Sequence, residues 1–502
     1  MVTKVLVIGG GPAGSTAAAL LARAGLSVTL LEKENFPRYH IGESIASSCR
    51  TIVDFVGALD EVDARGYTEK NGVLLRWGRE DWAIDWSEIF GPGVRSWQVD
   101  RDDFDQVLLT NAAKQGARVV EGAEVKRVVF EGDRAVAAEW SESHTGELRT
   151  SHFDFVVDAS GRTGLIPARH FKHRRANEAF RNVAIWGYWQ GGSLLPSSPK
   201  GGINVISAPD GWYWVIPLRD NRYSVGFVCH QTRFLERRSG HASLEAMLAS
   251  LVEESPSVRG LLANGTYQPG VRVERDFSYV ADRFCGPGYF AAGDSACFLD
   301  PLLSTGVHLA LYSGMLSAAA ILATVNGDVD EEQARAFYET LYRNAFERLF
   351  TLVAAVYQQQ AGKDNYFALA DRLVGEHAET DYEKVDGARA FAQLIAGLAD
   401  MGDAVAGRAP EPRMPDDDAD NSVDRLFVAA EQARRMAETH TPKSPVSEAL
   451  NRLDGHELFD PDTGLYLMTS PRLGIGRSRP VEPVIRTSPP PPPRNHGEEP
   501  ST

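Results

Sequence analysis

The sequence predicts an α/β fold in which a parallel β-sheet is joined to a mixed β-sheet region and followed by a mainly helical C-terminal region. Three observations support this prediction. The first fifty residues alternate strand, glycine turn, helix and strand; extended apolar segments recur to about residue 285; and helical spacing of apolar residues dominates from Gly306 onward. A length of 502 residues is too great for one ordinary domain and predicts two or three.

The first fifty residues predict a βαβ unit that binds a dinucleotide. Strand Val5–Ile8 leads into Gly9-x-Gly11-x-x-Gly14, an alanine-rich helix over Ser15–Ala24 and a second strand, Val28–Leu31, closed by Glu32. The glycines permit a tight turn, close approach of a pyrophosphate and close packing of the helix, while an acidic residue at this position binds the adenosine ribose. The expected dinucleotide contacts are Gly9, Gly11, Pro12, Ala13, Gly14 and Glu32.

An aromatic segment, GWYWVIP over Gly211–Pro217, adds a further strand. Pro217 ends this strand, so the indoles of Trp212 and Trp214 are expected near a strand end, where binding sites are commonly built. A purely structural role is the alternative, since large aromatic side chains mostly serve cores. Other expected strands include Phe155–Val157, Val183–Trp189 and Ser224–Val228.

Helical periodicity extends over Glu331–Tyr357 and Ala388–Leu398, and a loop is expected at Gly402–Asn421. Core packing is the simpler interpretation of the apolar stripe on the first of these helices. The sharper hypothesis is that these helices cover an active site and shape its opening. The stripe consists of Phe346, Leu349, Phe350, Val353 and Tyr357.

Composition indicates a soluble globular protein, with 43% hydrophobic and 24% charged residues. The formal net charge of −16 disfavours a nucleic-acid partner, because binding to the phosphate backbone requires clustered lysine and arginine. Cys49, Cys229, Cys285 and Cys297 form no C-x-x-C pair. They predict neither a metal site nor a disulfide framework, and a reducing cytoplasm suits them.

No targeting or membrane segment is predicted. The N-terminal residues lack the basic start and the cleavage site of a signal peptide. The longest apolar stretch, about Leu309 to Val325, is somewhat short for a membrane span and contains Tyr312, Ser313 and Ser317. It predicts a buried helix, so we expect no membrane partner.

Four motifs resemble those of flavin-dependent halogenases that act on phenols, pyrroles and carrier-protein-tethered acyl groups. Trp212–Pro217 fits the W-x-W-x-I-P pattern of that family, which flavin-dependent hydroxylases of the same fold generally lack. Phe36–Ser44 matches its FPR…GES loop, residues 70–78 match a K-x-G-x-x-x-x-W-G pattern with Lys70 as the catalytic lysine, and Ser304–Gly306 matches its S-T-G turn. The similarity covers roughly residues 1 to 330.

FAD is the dinucleotide that this resemblance implies. Gly293–Pro301 resembles the GD…DP segment that reaches the flavin in FAD-dependent hydroxylases and halogenases, and Asp158–Arg162 resembles a segment that packs beside the cofactor. For Arg101, a surface salt bridge with Asp102 or Asp105 is the alternative role. The implied FAD contacts are Arg38, Gly42, Glu43, Ser44, Gln98, Arg101, Asp294, Pro301, Gly306 and Val307.

The implied fold is an FAD-binding Rossmann-like domain of the aromatic-hydroxylase type with an inserted β-sheet substrate region. We expect this domain over residues 1–326, with nucleotide-binding parts at about 1–50, 98–165 and 280–326 and substrate parts at about 66–97 and 166–279. A helical C-terminal region is expected over 327–470 and a disordered, proline-rich tail over 471–502.

The resemblance also implies the chemistry. FADH2 from a separate flavin reductase reacts with oxygen to give a C4a-hydroperoxide, and chloride converts this to hypochlorous acid, which passes to Lys70. Trp212 and Trp214 would keep the aromatic substrate away from the flavin, and Ser304–Gly306 would hold the chloride through backbone amides. An ammonium at Lys70 would donate a hydrogen bond to hypochlorous acid, whereas a neutral amine would form a chloramine, and the sequence leaves both open.

Leu303 narrows the expected substrate. Tryptophan halogenases have a glutamate directly before the S-T-G turn, where this chain has Leu303, so free tryptophan is disfavoured and an electron-rich phenol is favoured. The phenol would be free or tethered to an acyl or peptidyl carrier protein in natural-product biosynthesis. The alternatives are an aromatic hydroxylase or another FAD oxidoreductase of this fold, and a flavoprotein that binds a partner without catalysis.

Overall fold

The structure, a computed structural model, describes residues 2–78, 80–90, 93–357, 392, 395–397, 400 and 465–477. The expected loop at Gly402–Asn421, most of the expected helix Ala388–Leu398 and the tail beyond residue 477 lie outside the described residues. The strands are β1 Lys4–Ile8, β2 Ser27–Leu31, β3 Thr68–Lys70, β4 Gly72–Trp77, β5 Glu80–Asp85, β6 Ser96–Gln98, β7 Arg118–Val120, β8 Ala123–Glu131, β9 Arg134–Glu142, β10 Leu148–His152, β11 Phe155–Asp158, β12 Arg174–Gln190, β13 Ile203–Ala208, β14 Gly211–Pro217, β15 Arg222–His230, β16 Thr266–Ala281, β17 Cys285–Gly286, β18 Tyr289–Ala291, β19 Cys297–Phe298, β20 Leu465–Met468 and β21 Gly474–Arg477. The helices are α1 Pro12–Arg23, α2 Ser48–Phe55, α3 Leu59–Asp63, α4 Trp86–Phe90, α5 Arg101–Lys114, α6 Gln231–Ser239, α7 Leu244–Glu254, α8 Pro256–Leu261, α9 Gly306–Asn326 and α10 Glu331–Tyr357.

A six-stranded sheet in the order β17-β18-β11-β1-β2-β7 contains the N-terminal βαβ unit. All neighbouring pairs run parallel except β17 and β18. Val5 and Val7 of β1 belong to the core shared with α1 and α9, whereas Leu6 and Ile8 pack with residues of β8 and β9. Burial on both faces explains why this strand is apolar without alternation and confirms the predicted βαβ unit.

An eight-stranded sheet in the order β19-β16-β12-β15-β14-β13-β4-β5 contains the aromatic strand β14 near its middle. Because side chains alternate along a strand, Trp212 and Trp214 face the main core, whereas Tyr213 and Val215 face a second core formed with α7 and α8. The alternation places both indoles on the same side of the sheet.

Helix α9 is the central helix of the main core. It is long and apolar enough to cross a membrane, but 94% of its most apolar window is buried inside the structure, as expected for a core helix. Gly314 allows close packing on α1, since a Cβ there would lie 2.4 Å from the Ala13 carbonyl oxygen. The predicted buried helix is therefore confirmed.

Helix α10 has the bounds that the periodicity predicted and packs against α9. Phe346, Leu349, Phe350 and Val353 are all buried, and the Phe350 ring meets the Phe180 ring edge-on at 5.4 Å. Core packing therefore accounts for these four residues of the stripe.

Strands β20 and β21 correct the prediction for the C-terminal region. A helical region was expected to residue 470 and a disordered tail from residue 471, but Leu465–Arg477 forms an antiparallel hairpin across that boundary. Leu465, Leu467, Leu473 and Ile475 are buried in the core beside α9. This hairpin is stabilised because its apolar side chains are buried against α9. No local sequence pattern indicated the hairpin.

Candidate functional site

The glycine turn between β1 and α1 leaves open space beside its backbone. Gly9 has φ of +103°, and a Cβ there would lie 2.2 Å from the Ala159 carbonyl oxygen; a Cβ on Gly14 would lie 1.9 Å from the Gly9 carbonyl oxygen. A Cβ on Gly11, by contrast, would approach only the Arg38 guanidinium, at 3.4 Å. Packing within the protein explains the first two glycines, whereas Gly11 leaves room for a ligand at the start of α1.

Glu32 lies directly beside this turn. Its buried carboxylate accepts hydrogen bonds from the backbone N–H of Gly10 at 2.6 Å and of Glu34 at 2.8 Å. Pro12 and Ala13 form the buried first turn of α1, where proline loses no helical hydrogen bond. An open helix N-terminus next to a buried carboxylate can hold a dinucleotide, with the phosphates at the helix end and the ribose at the carboxylate.

Two arginines meet one buried carboxylate near the turn. Arg101 makes a bidentate ion pair with Asp105 at 2.8 and 3.0 Å, and Arg38 reaches the same carboxylate at 3.2 Å. Burial would raise the pKa of Asp105, but the two arginines outweigh it and lower that pKa. The Arg101–Asp105 pair is therefore buried rather than a surface salt bridge. Arg101 also donates to the Ile41 carbonyl at 2.7 Å. The next residue, Gly42, has a φ of +106°, a conformation that favours glycine.

Buried polar atoms without a hydrogen-bond partner surround the same region. They include Ser44 Oγ and Gln98 Oε1. Gln98 Nε2 donates to the Gly201 carbonyl at 2.9 Å, and the nearby Glu43 Oε1 accepts from the Tyr188 hydroxyl at 2.7 Å. An unsatisfied buried polar atom costs about 1–3 kcal/mol, so a polar ligand at this place could supply the missing partners of Ser44 and Gln98.

The Gly293–Ser295 turn packs against the start of α1, since a Cβ on Gly293 would lie 3.3 Å from the Ala13 Cβ. Burial raises the pKa of Asp294 in this turn, although nearby arginines oppose the shift. Ser295 Oγ is another buried atom without a partner. Asp158 ends the neighbouring strand β11, and its carboxylate accepts from backbone N–H groups of its own loop at 2.7 and 3.1 Å.

Asp300 organises the turn that precedes α9. Its buried carboxylate accepts from the Leu302 N–H at 3.0 Å and so caps the short helical turn Pro301–Leu303. Ser304 then adopts the left-handed conformation, with φ of 59°, and α9 begins two residues later at Gly306.

The first residues of α9 face open space. Thr305 Oγ1 is buried without a hydrogen-bond partner, and a Cβ on Gly306 would meet nothing within 4 Å. Val307 is buried behind them. The first N–H groups of a helix have no partner within the helix and favour negative charge, so this turn can bind an anion.

Lys70 ends β3, where it pairs with Ser96 of β6. The side chain is only 2% exposed, and its Nζ lies 5.0 Å from the centre of the Trp86 ring. Burial lowers the pKa of Lys70 to about 7, and the only opposing influence comes from Cys49. Both the ammonium and the neutral amine are therefore accessible near neutral pH. No hydrogen bond between described residues joins Lys70 to the indoles or to the S-T-G turn.

Three indoles form a row on the core face of the eight-stranded sheet. The Trp212 and Trp214 ring centres are 6.1 Å apart, as are those of Trp214 and Trp186. Gly226 on the neighbouring strand makes room for Trp214, because a Cβ there would lie 2.2 Å from its ring. The Trp214 N–H donates to Ser224 Oγ at 3.1 Å.

Two further groups of residues are brought to this region by the fold. Tyr357 belongs to the stripe on α10 that was expected to pack in the core or to cover the site, and its hydroxyl accepts from the Trp212 N–H at 2.6 Å. A cavity of 230 Å³ is lined by Glu43, Arg101 and Tyr39, and also by Tyr188, Arg222 and Arg272, among others. Sequence reasoning missed the last three, which come from strands β12, β15 and β16 and are brought together by sheet pairing.

These features define the class of protein. An open glycine turn at a helix N-terminus, beside a buried carboxylate and within a parallel sheet, is the architecture of α/β proteins that bind a dinucleotide. The chain therefore has the features of the dinucleotide-binding α/β class.

Comparison with known proteins identifies the family. The family model for tryptophan halogenase matches residues 4–96 and 94–403. A tryptophan 2-halogenase from Chondromyces crocatus is 41% identical over 493 residues, which cover 95% of this chain and 94% of that protein. The sulochrin halogenase of Aspergillus terreus is 34% identical over 418 residues, covering 75% and 76%. The chain belongs to the flavin-dependent halogenase family.

Solved structures agree with this assignment. The myxobacterial chondrochloren halogenase CndH is 33% identical, with a TM-score of 0.67 over 80% of this chain and 91% of that chain. The flavin-dependent halogenase CmlS is 30% identical, with a TM-score of 0.66 over 86% and 78%. The predicted fold, FAD cofactor and enzyme class are thereby confirmed. Enzymes of this family in general use a small aromatic substrate and a separate flavin reductase.

Proposed function

We propose that this halogenase chlorinates an electron-rich, phenolic ring and that Lys70 delivers the chlorine. The observation that carries the proposal is the burial of Lys70 over Trp86 with a pKa lowered to about 7. Lysine is seldom buried, and a structural lysine at such a depth normally has a carboxylate partner. Perturbed pKa values of this kind are typical of functional sites.

The S-T-G turn is the proposed chloride site. Thr305 Oγ1 has no partner, Gly306 leaves the start of α9 uncovered, and Ser304 turns the chain so that the helix N-terminus is exposed. A desolvated chloride requires such N–H and O–H donors, since an anion buried without them is strongly disfavoured.

FAD, when bound and reduced, supplies with oxygen the oxidising power that converts chloride to hypochlorous acid. Lys70 would then either donate a hydrogen bond from its ammonium to this acid or, as the amine, form an N–Cl bond in place of one N–H bond and release water. In both cases the lysine orients the chlorine toward the ring. The row of Trp212 and Trp214 acts as a wall that keeps the ring away from the flavin.

Leu303 supports a phenol as the substrate. The residue before the S-T-G turn is apolar and buried, so it offers no carboxylate to assist an indole. A phenol stabilises its own ring cation and needs less help. The 41% identical relative is named a tryptophan 2-halogenase, which makes tryptophan the second candidate for this chain.

The test is an assay of FAD-loaded enzyme with a flavin reductase, chloride and a panel of free phenols, phenols on a carrier protein, and tryptophan. We expect chlorinated phenol that depends on chloride and is lost in Lys70→Ala. A chloride-independent hydroxylated product would favour the hydroxylase alternative, and chlorotryptophan alone would replace the phenol. Location in the cytoplasm stays a prediction.

A further inference from the structure

Four side chains from distant parts of the chain form a hydrogen-bonded cluster beside the S-T-G turn. The Tyr357 hydroxyl accepts from the Trp212 N–H at 2.6 Å and from Asn182 Nδ2 at 3.1 Å, and it donates to Asp300 Oδ2 at 2.9 Å. Asn182 Nδ2 lies 2.7 Å from the same carboxylate oxygen. We refer to these four residues as the Tyr357 cluster.

The cluster links two components of the proposed mechanism, the indole wall and the turn that binds chloride. Trp212 belongs to the proposed wall, while Asp300 caps the turn that leads into Ser304. Asp300, Asn182 and Trp212 are at most 5% exposed, and Tyr357 is half-buried. Displacing the Tyr357 hydroxyl would therefore disturb both the wall and the turn.

Charge gives the cluster a second effect. Asp300 is a buried acid five residues before Thr305, and a carboxylate in this position opposes the binding of an anion. The Tyr357 hydroxyl and the Asn182 amide both donate to Oδ2, while the Leu302 N–H donates to Oδ1. Two of these three donors act on Oδ2, so the negative charge is stabilised more on the side of the cluster than on the side of the turn.

We propose that Tyr357 is a positioning residue for the halide, which sets the affinity for chloride through Asp300 and Trp212. This inference deepens the proposed function, because it rests on the S-T-G turn as the chloride site. The Tyr357 ring itself packs edge-on against Phe180 at 5.4 Å and Trp77 at 6.4 Å. Tyr357→Phe therefore removes the hydroxyl while keeping the aromatic packing.

The matched control is Tyr213→Phe. Tyr213 neighbours Trp212 on β14 but faces the opposite core, where its hydroxyl donates to the Leu251 carbonyl at 2.7 Å. Both variants lose one hydroxyl group. Tyr213→Phe breaks one hydrogen bond in the second core, whereas Tyr357→Phe breaks the three that its hydroxyl makes in the cluster.

The experiment titrates FAD-loaded protein with chloride against gluconate at constant ionic strength and follows the flavin absorbance and the melting temperature. We expect the half-saturating chloride concentration to rise about tenfold in Tyr357→Phe and to stay unchanged in Tyr213→Phe, with equal FAD content. In the Asp300→Asn background, Tyr357→Phe should have little further effect on chloride, since the charge is already absent.

If Tyr357→Phe binds chloride as tightly as the wild type and only melts at a lower temperature, the inference is overturned and Tyr357 has a structural role. If Tyr357→Phe lowers the chloride affinity by the same factor in the wild-type and in the Asp300→Asn background, the inference is overturned as well. It is also overturned if the wild-type protein does not bind chloride. If the wild type binds chloride but chlorinates no aromatic compound, the proposed function fails while the chloride affinities of the variants still decide the role of Tyr357.

Discussion

The indole N–H of Trp212 donates to the hydroxyl of Tyr357 at 2.6 Å and so joins the middle of the eight-stranded sheet to the end of α10. This contact restrains the ring of Trp212 from the side opposite to its strand. A wall between flavin and substrate requires such a restraint, because a ring that changes rotamer would open a path between the two.

We therefore expect Trp212→Phe to lower the yield of chlorinated product per FADH2 consumed, and to release more peroxide. The smaller ring loses the bond to Tyr357 and leaves a cavity that should cost about 1–3 kcal/mol of stability. Trp189→Phe is the matched control, since Trp189 is buried in the second core. If Trp212→Phe is destabilised but forms as much chlorinated product per FADH2 as the wild type, Trp212 has only a structural role in the core.

Gly11→Val should weaken FAD binding by about a hundredfold or more, because the new side chain enters the space left for the pyrophosphate. The fold should survive, since a Cβ there approaches only the end of the flexible Arg38 side chain. Gly260→Ala, where a Cβ meets nothing within 4 Å, serves as the control. Flavin absorbance after gel filtration measures the bound fraction, and full FAD retention in Gly11→Val would refute the assignment.

Lys70→Ala should still bind FAD and consume FADH2 with oxygen, yet lose chlorination by at least about a hundredfold, as expected when a positioned acid or nucleophile is removed. Lys114→Ala, which removes an exposed lysine paired with Glu61, should retain activity. Product analysis by mass spectrometry with parallel FADH2 consumption separates the two steps. Normal chlorination by Lys70→Ala would exclude this lysine from the mechanism.

Burial of Lys70 also predicts a pH dependence of stability. Its folded-state pKa of about 7 lies below the ordinary 10.5, so between these values the unfolded chain binds more protons and the contribution of Lys70 to the free energy of unfolding rises with pH. Lys70→Met removes this effect. We expect the variant to be the more stable protein at pH 7, by as much as about 1.4 kcal/mol per unit of pKa shift, and its advantage to shrink toward pH 10.

Chemical denaturation of the FAD-saturated proteins at pH 7, 8, 9 and 10 measures this difference. Lys114→Met controls for the general loss of a lysine. A difference between Lys70→Met and wild type that is the same at every pH would show that the Lys70 pKa is ordinary.

Truncation distinguishes the hairpin from the residues after it. Removal of the residues from Ser478 onward should leave activity and melting temperature unchanged, because the buried side chains of β20 and β21 are retained. Removal from Leu465 onward should destabilise the protein by several kcal/mol, since the burial of Leu465, Leu467, Leu473 and Ile475 is lost. Equal melting temperatures of the two truncated proteins would contradict the role assigned to the hairpin.

Local sequence was sufficient for the features that depend on neighbouring residues. Glycine spacing between a strand and a helix predicted the turn at Gly9–Gly14, and the aromatic segment ended by Pro217 predicted the strand Gly211–Pro217. Periodicity predicted α10 with its observed bounds. Backbone geometry over a few residues decides such features, so no distant partner is needed to predict them.

Only the tertiary structure decided which polar side chains are buried and which hydrogen-bond partners they have. Lys70 owes its lowered pKa to burial beside Trp86 and against β6, and the hairpin Leu465–Arg477 is stabilised by α9. The bond from Tyr357 to Asp300 crosses 57 positions of sequence. Desolvation and hydrogen bonding are properties of the packed chain, and no short pattern encodes them because each depends on residues brought together only when the sheets and helices assemble.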